Sequence, residues 1–368
     1  MAKYRVGVIG WTGRGNYGHG LDTVWKDVPD TEVVAVADPD EKGRASAAAR
    51  LGVTRSYADY REMLGKEKLQ IVAVAPRWLD AHRELVLACA ESHTSIFLEK
   101  PLCRTLEEAD QMVAACERNH VKCVIAHQTR YSPRMRQVKE LIEQGAVGEL
   151  LELRGRGKED RRGGGEDLMV LGTHVMDLMR YFGGNPTWCS AQVFEGGRPV
   201  AAAQVRDGAE GIGPLAGDAL DATYGFASGS ARGFFSSHRP KDQSGSRYGL
   251  VLYGTRGIVD LAMGGLGSAH FCKDPTWSPA RSGAPWTLIS SAGLGQPEPL
   301  QDGGLHMGNV AIAKDLIKCI ESDGQPLGSI YDGRAALEMI LAIYESHRAR
   351  TAVELPLKNR KHPLASLA

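Results

Sequence analysis

Between residue 4 and about residue 126, short apolar, β-branched runs alternate with stretches whose apolar residues recur every three or four positions. The runs are YRVGVIG, EVVAVAD, LQIVAVAP, SIFLEKP and KCVIAH. The inner ones are apolar almost throughout, as in strands covered on both faces, so the pattern predicts a doubly wound parallel sheet of nucleotide-binding type. After the amphipathic SPRMRQVKELIEQGAVG the strands lengthen, alternate and meet at glycine turns. ATYGFASGSARGFFSSHR is expected to turn at Ser228 and Gly229, and YGLVLYGTRGIVDL through Gly254 to Gly257. The second half is therefore expected to be a large open, mainly antiparallel sheet flanked by helices, closing with helices near 308–322 and 332–349. The Gly-rich stretches 206–217 and 262–305 predict long loops at a sheet edge or over a site. RGGGEDLMVLGTHVMDLMRYFGG, residues 162–184, predicts one helix whose stripe of Leu168, Leu171, Val175, Leu178 and Phe182 faces a core. His174 falls on the shoulder of that stripe, with Asp177 one turn on.

A chain of 368 residues suggests two domains, placed at 1–126 and 127–368. Lys plus Arg and Asp plus Glu both number 44, which leaves no field favouring nucleic acid or an anionic membrane. No apolar run approaches a membrane span, and the chain enters its first strand with no room for a secretory leader. Seven scattered cysteines without CxxC pairing predict reduced, buried thiols, no metal site, and a cytoplasmic protein.

Gly13, Gly15 and Gly18 spell GxGxxG after the first strand. Such a loop lets backbone approach a pyrophosphate and is expected to open a helix whose N-terminus faces the phosphates. Gly10, Thr12 and Asn16 share the loop, and Asp38 ends the second strand where an acid would take ribose hydroxyls. No arginine follows Asp38 directly, which favours NAD over NADP. SIFLEKPL ends a buried strand with Glu99, Lys100 and Pro101, at the carboxyl edge where open α/β sheets bind ligands; Pro101 is a candidate cis peptide that would hold the turn.

In their order along nearly the whole chain, the glycine loop, VAVADPD, APRWLDAH, FLEKP, QTRYSP, GAVGEL, GTHVMDL, LYGTRG and VELPL resemble the Gfo/Idh/MocA family of nicotinamide-dependent oxidoreductases. The resemblance implies that Lys100 and His174 line the site where a sugar or cyclitol hydroxyl faces the nicotinamide. It implies cofactor contacts from Gly10, Thr12, Gly13, Gly15, Asn16, Asp38, Pro76, His82, Glu99 and Lys100, and substrate contacts from Arg130 and Asp177. Imidazole is suited to accept the hydroxyl proton near neutral pH, with Lys100 stabilising the developing alkoxide. Many family members carry an aspartate one turn before the histidine, where this chain has Val170; Asp167 or Asp177 could orient the ring instead. The mixed charges of RGRGKEDRRGGGEDL fit an internally paired loop, or a loop in which Lys158, Glu159 and Asp160 reach a polar substrate; Trp277, Trp286 and His306 are further candidates for that pocket.

The expected function is an NAD-dependent dehydrogenase of a sugar, glycoside or cyclitol. The alternatives are a redox-neutral lyase or glycoside-cleaving enzyme that recycles NAD, and a non-catalytic dinucleotide-binding regulator. An open sheet with one uncovered face also predicts a homodimer or homotetramer.

Overall fold

Six short strands, most of them apolar on both faces, make the first sheet of the computed structural model, which describes residues 4–227, 229–240 and 247–367. They are β1 (Tyr4–Ile9), β2 (Thr31–Ala37), β3 (Arg55–Tyr57), β4 (Ile71–Val74), β5 (Ser95–Leu98) and β6 (Cys123–Ile125). All pair parallel in the order β3-β2-β1-β4-β5-β6, so the strand order reverses between β1 and β4, where this architecture binds its ligand. Every residue of β4 and β5 is buried, as their unbroken apolar runs require. The helices α1 (Glu41–Leu51), α2 (Tyr60–Glu67), α3 (His82–Glu91) and α4 (Leu106–Arg118) connect these strands. Asp40, Asp59 and Thr105 cap three of them by accepting from backbone N–H groups in the first turn.

This unit runs up to Ala126 and also takes in 209–213 and 305–334. The helix Leu305–Ser322 and the turn after it lie against the sheet: Tyr4 donates to Glu321 (3.0 Å), and Ile125 N–H donates to Gly328 O (2.8 Å).

The second unit comprises 127–208, 214–304 and the chain from Ala335 on. It opens with α5 (Pro133–Glu143) and β7 (Leu150–Arg156), followed by α6 (Gly165–Val170), α7 (Gly172–Gly183) and β8 (Pro186–Glu195). The short strands β9 (Arg198–Pro199), β10 (Arg206–Asp207) and β11 (Pro214–Leu215) follow, then β12 (Ala219–Phe226), β13 (Arg232–His238), β14 (Gly249–Gly254) and β15 (Ile258–Ala262). Next come β16 (Ala269–Cys272), α8 (Pro279–Ser282), β17 (Trp286–Ser290) and β18 (Gly293–Leu294). The helix 305–322 is α9; α10 (Ile330–Ala349) and β19 (Val353–Glu354) end the series. The large sheet runs β18-β17-β16-β15-β14-β7-β13-β12-β8-β19, with β9 on β8 and one parallel pair, β7 with β13. Alternate residues of β13 and β14 are buried and half-buried, which leaves one face open.

Three expectations change. The stretch 262–305 is no long loop: β16, β17 and β18 extend the sheet, and Asp274 folds the turn between them by accepting from Thr276, Ser278 and Ser282. The stretch 206–217 holds the two-stranded ladder β10–β11. The helix expected over 162–184 is two, because the ladder breaks at Leu171, whose carbonyl accepts the Tyr248 hydroxyl (2.9 Å). The hairpins of β12–β13 and β14–β15 form as expected; Ser228 lies outside the described residues, while Gly229 takes a φ of 79°. Among the described residues no helix is long and apolar enough to cross a membrane, and all seven cysteines are free and buried.

Candidate active site

In the first unit the glycine loop does not open a helix. Trp11 and Asn16 exchange backbone hydrogen bonds (3.1 and 2.9 Å), and turns continue to a short 3-10 segment at Val24–Asp27. Gly13, Gly15, Asn16, Gly18 and Gly20 all take positive φ, which a right-handed helix cannot accommodate. A Cβ on Gly15 would meet Arg77 N at 2.3 Å, and one on Gly18 would meet Ala75 O at 2.6 Å, so these glycines let the loop lie on the chain that leaves β4. A Cβ on Gly13 would meet nothing within 4 Å, and its N–H donates to Asn16 Oδ1 (3.0 Å). Gly10 lies under the Tyr17 ring, whose hydroxyl is pushed well above its ordinary pKa by burial and by Asp38.

Asp38 is fully buried at the end of β2. It accepts from Thr12 N–H, from Thr12 Oγ1 (2.7 Å) and from Asp40 N–H (2.9 Å), and so ties the glycine loop to the second strand. Beside it opens a cleft of about 120 Å³ walled by Ile9, Gly10, Trp11, Pro39, Ala58 and Tyr60. An apolar slot next to a β2 acid and a positive-φ glycine loop suits the adenosine half of a dinucleotide; the helix N-terminus that would face its phosphates is not part of this loop.

The chain leaving β4 is stapled by His82. Its Nε2 lies 2.7 Å from Pro76 O, and its Nδ1 lies 3.0 and 3.1 Å from Pro101 O and Leu102 O. The ring is fully buried among these backbone carbonyls, so its contacts hold two loops together. Glu99, also buried, accepts from His19 N–H (3.0 Å), from the His19 ring (2.5 Å) and from Lys100 N–H (2.9 Å). Burial alone would raise its pKa, but the His19 hydrogen bond and charge, with Lys100, bring it down to about 2. Lys100 is 7% exposed and its bond to Pro101 is cis. Two features escaped the sequence reading. His19 is the partner of Glu99, and Arg14 lies over both Trp11 and Trp78, 5.0 Å from each ring centroid, while pairing with Asp80.

In the second unit His174 stands half-buried in the first turn of α7. Arg130, from the 3-10 turn Gln128–Tyr131, donates to Asp177 Oδ1 (2.8 Å) and lies over the Tyr181 ring at 4.9 Å. Both partners of this pair are buried, and they lock that turn to α7. Burial would raise the Asp177 pKa, but the Arg130 and His127 charges hold it below the usual range. Asp167 accepts from Ser237 Oγ (2.6 Å) and from the N–H groups of Lys158 and Glu159, so this carboxylate anchors the charged loop.

That loop is largely internally paired. Glu159, 2% exposed, bonds Arg156 and Arg247; Asp160 pairs with Arg162, which brings its pKa to about 2, and lies 3.6 Å from Lys158 Nζ. Lys158 and Asp160 remain partly exposed. Trp277 donates its indole N–H to Gly254 O, Trp286 is exposed on β17, and His306 belongs to the first unit, where it pairs with Asp27.

Residues 4–127 match the family model described as an oxidoreductase family with an NAD-binding Rossmann fold, and residues 135–260 match the C-terminal domain of the GFO/IDH/MocA group. The chain belongs to the Gfo/Idh/MocA oxidoreductases. It is 26% identical to a D-apiose dehydrogenase from Paraburkholderia graminis over 341 residues, covering 90% of this chain and 85% of that one. A levoglucosan dehydrogenase solved with NADH and levoglucosan superposes with a TM-score of 0.77 at 22% identity, over 96% of this chain and 100% of that one. A shorter match, 29% identical over 140 residues, covers 38% of this chain and 36% of a 2,7-anhydro-N-acetylneuraminate hydratase from Mediterraneibacter gnavus. In this Gfo/Idh/MocA chain the first unit is thus an NAD-binding Rossmann domain.

Proposed function

We infer that the chain oxidises a hydroxyl-bearing carbon of a sugar, glycoside or cyclitol with NAD. The observation that most supports this reading is the D-apiose dehydrogenase likeness along most of both chains, joined to an NAD-binding first unit. NAD held at the glycine loop would supply the acceptor for the hydride that leaves the carbinol carbon. His174, half-buried at the head of α7, takes the hydroxyl proton. The Lys100 ammonium favours the developing alkoxide, and Glu99, ionised beside it, keeps the end of β5 fixed through the Lys100 N–H. Gly13, Thr12, Asn16 and Asp38 shape the dinucleotide side. Lys158 and Asp160 bond further substrate hydroxyls, while Arg130 and Asp177 hold the helix that carries the base. A panel of monosaccharides, anhydrosugars and inositols tests the reading: steady NADH formation with at least one member is expected, and none with any member overturns it.

A redox-neutral route, in which NAD is reduced and reoxidised within one turnover, draws support from the hydratase relative and from Val170. Product release without net NADH would mark that route.

A further inference from the structure

A second histidine stands behind the first. His127 is 1% exposed at the start of the second unit; its Nε2 lies 3.1 Å from Thr173 Oγ1, and its Nδ1 lies 3.5 Å from Asp177 Oδ1. Its ring centroid lies 5.3 Å from that of His174, with the planes at 64°, in the edge-on range that aromatic rings favour. His127 therefore touches α7 through the residue before His174, through His174 itself, and through the residue three positions later. Asp177 is in turn fixed by Arg130. Four residues before His174, at the end of α6, stands the aliphatic side chain of Val170. Burying this imidazole desolvates two nitrogens, a cost that an apolar side chain would not carry, so the polar ring needs a reason.

We propose that His127 is the positioning residue of the site: anchored on Thr173 and Asp177, it holds the His174 imidazole edge-on in the orientation that accepts the substrate proton. This rests on the reading of His174 as the base. The placement works through orientation, because a reacting group displaced by an ångström loses much of its rate.

The test is His127→Phe in the full chain, read by the imidazole 15N resonances of histidine-labelled protein, with His174 assigned through His174→Gln. The expected result is that the His174 resonances move and the balance of its neutral tautomers changes. The kcat should fall by about 10- to 100-fold, with KM for NAD unchanged. His127→Gln, whose amide can meet Thr173 and Asp177, should restore part of the rate. If His127→Phe does not fold, Thr173→Val removes the Nε2 partner and should move the same resonances. Unmoved His174 signals in the folded variant overturn the proposal. An unchanged kcat in His174→Gln overturns the base assignment instead, and the resonance readout separates the two failures.

Discussion

At the residue scale, exposure and pairing divide the candidate groups. His174 is half-buried on its helix shoulder, whereas Arg130 and Asp177 are buried and hydrogen-bonded to each other. His174→Gln is therefore expected to lower kcat by about 10²- to 10⁴-fold with little change in thermal midpoint, checked by steady-state kinetics and calorimetry. Asp177→Asn removes a charge facing buried Arg130 and should cost about 3 kcal/mol or more of stability, read from urea titrations. Glu99 gives a pH-dependent term. Its folded pKa of about 2 lies below the unfolded carboxyl value, so its contribution is complete above that unfolded value and is lost as pH falls towards 2. The contribution is on the order of 3 kcal/mol, and Glu99→Gln should flatten this part of the stability profile between about pH 5 and pH 2. The helical period announced His174. The pairing of Arg130 with Asp177, or of His19 with Glu99, was not legible, because no local repeat links residues so far apart in the chain.

At the element scale, the glycine loop shows how one motif can keep its residues and change its geometry. Three glycines at the right spacing read as the start of a helix, yet positive φ at Gly15, Asn16, Gly18 and Gly20 makes a run of turns. Gly15 presses on the backbone of Arg77, while Gly13 faces open space. Gly15→Ala should thus lose several kcal/mol and weaken NAD binding, whereas Gly13→Ala should lose only the positive-φ strain of about 1 kcal/mol; thermal shift with and without NAD distinguishes them. The break between α6 and α7 was equally invisible, because it depends on the Tyr248 hydroxyl reaching Leu171 O. The strands β16 and β17 were hidden by the glycine, serine and proline around them, and Asp274 is what folds that stretch.

At the scale of the whole molecule, the open face of the large sheet carries Arg154 over Phe234 and Tyr253, with their rings half-buried. A mixed aromatic and charged face on central strands is expected to pair with a second copy. Light scattering should give a dimer or tetramer, and Phe234→Glu should shift it towards the monomer; a monomeric parent chain would contradict this. The chain's apolar periods determined five of the six strands of the parallel unit, the alternating second sheet and the helix that carries His174, because burial on one or two faces is written into neighbouring residues; β3, the polar Arg55–Tyr57, carries no such signal. Tertiary structure alone decided that 305–334 joins the first unit, that the glycine loop forms turns, and that His127 lies against His174. Those outcomes depend on which distant groups can satisfy each other's hydrogen bonds once buried, and no local pattern encodes that choice.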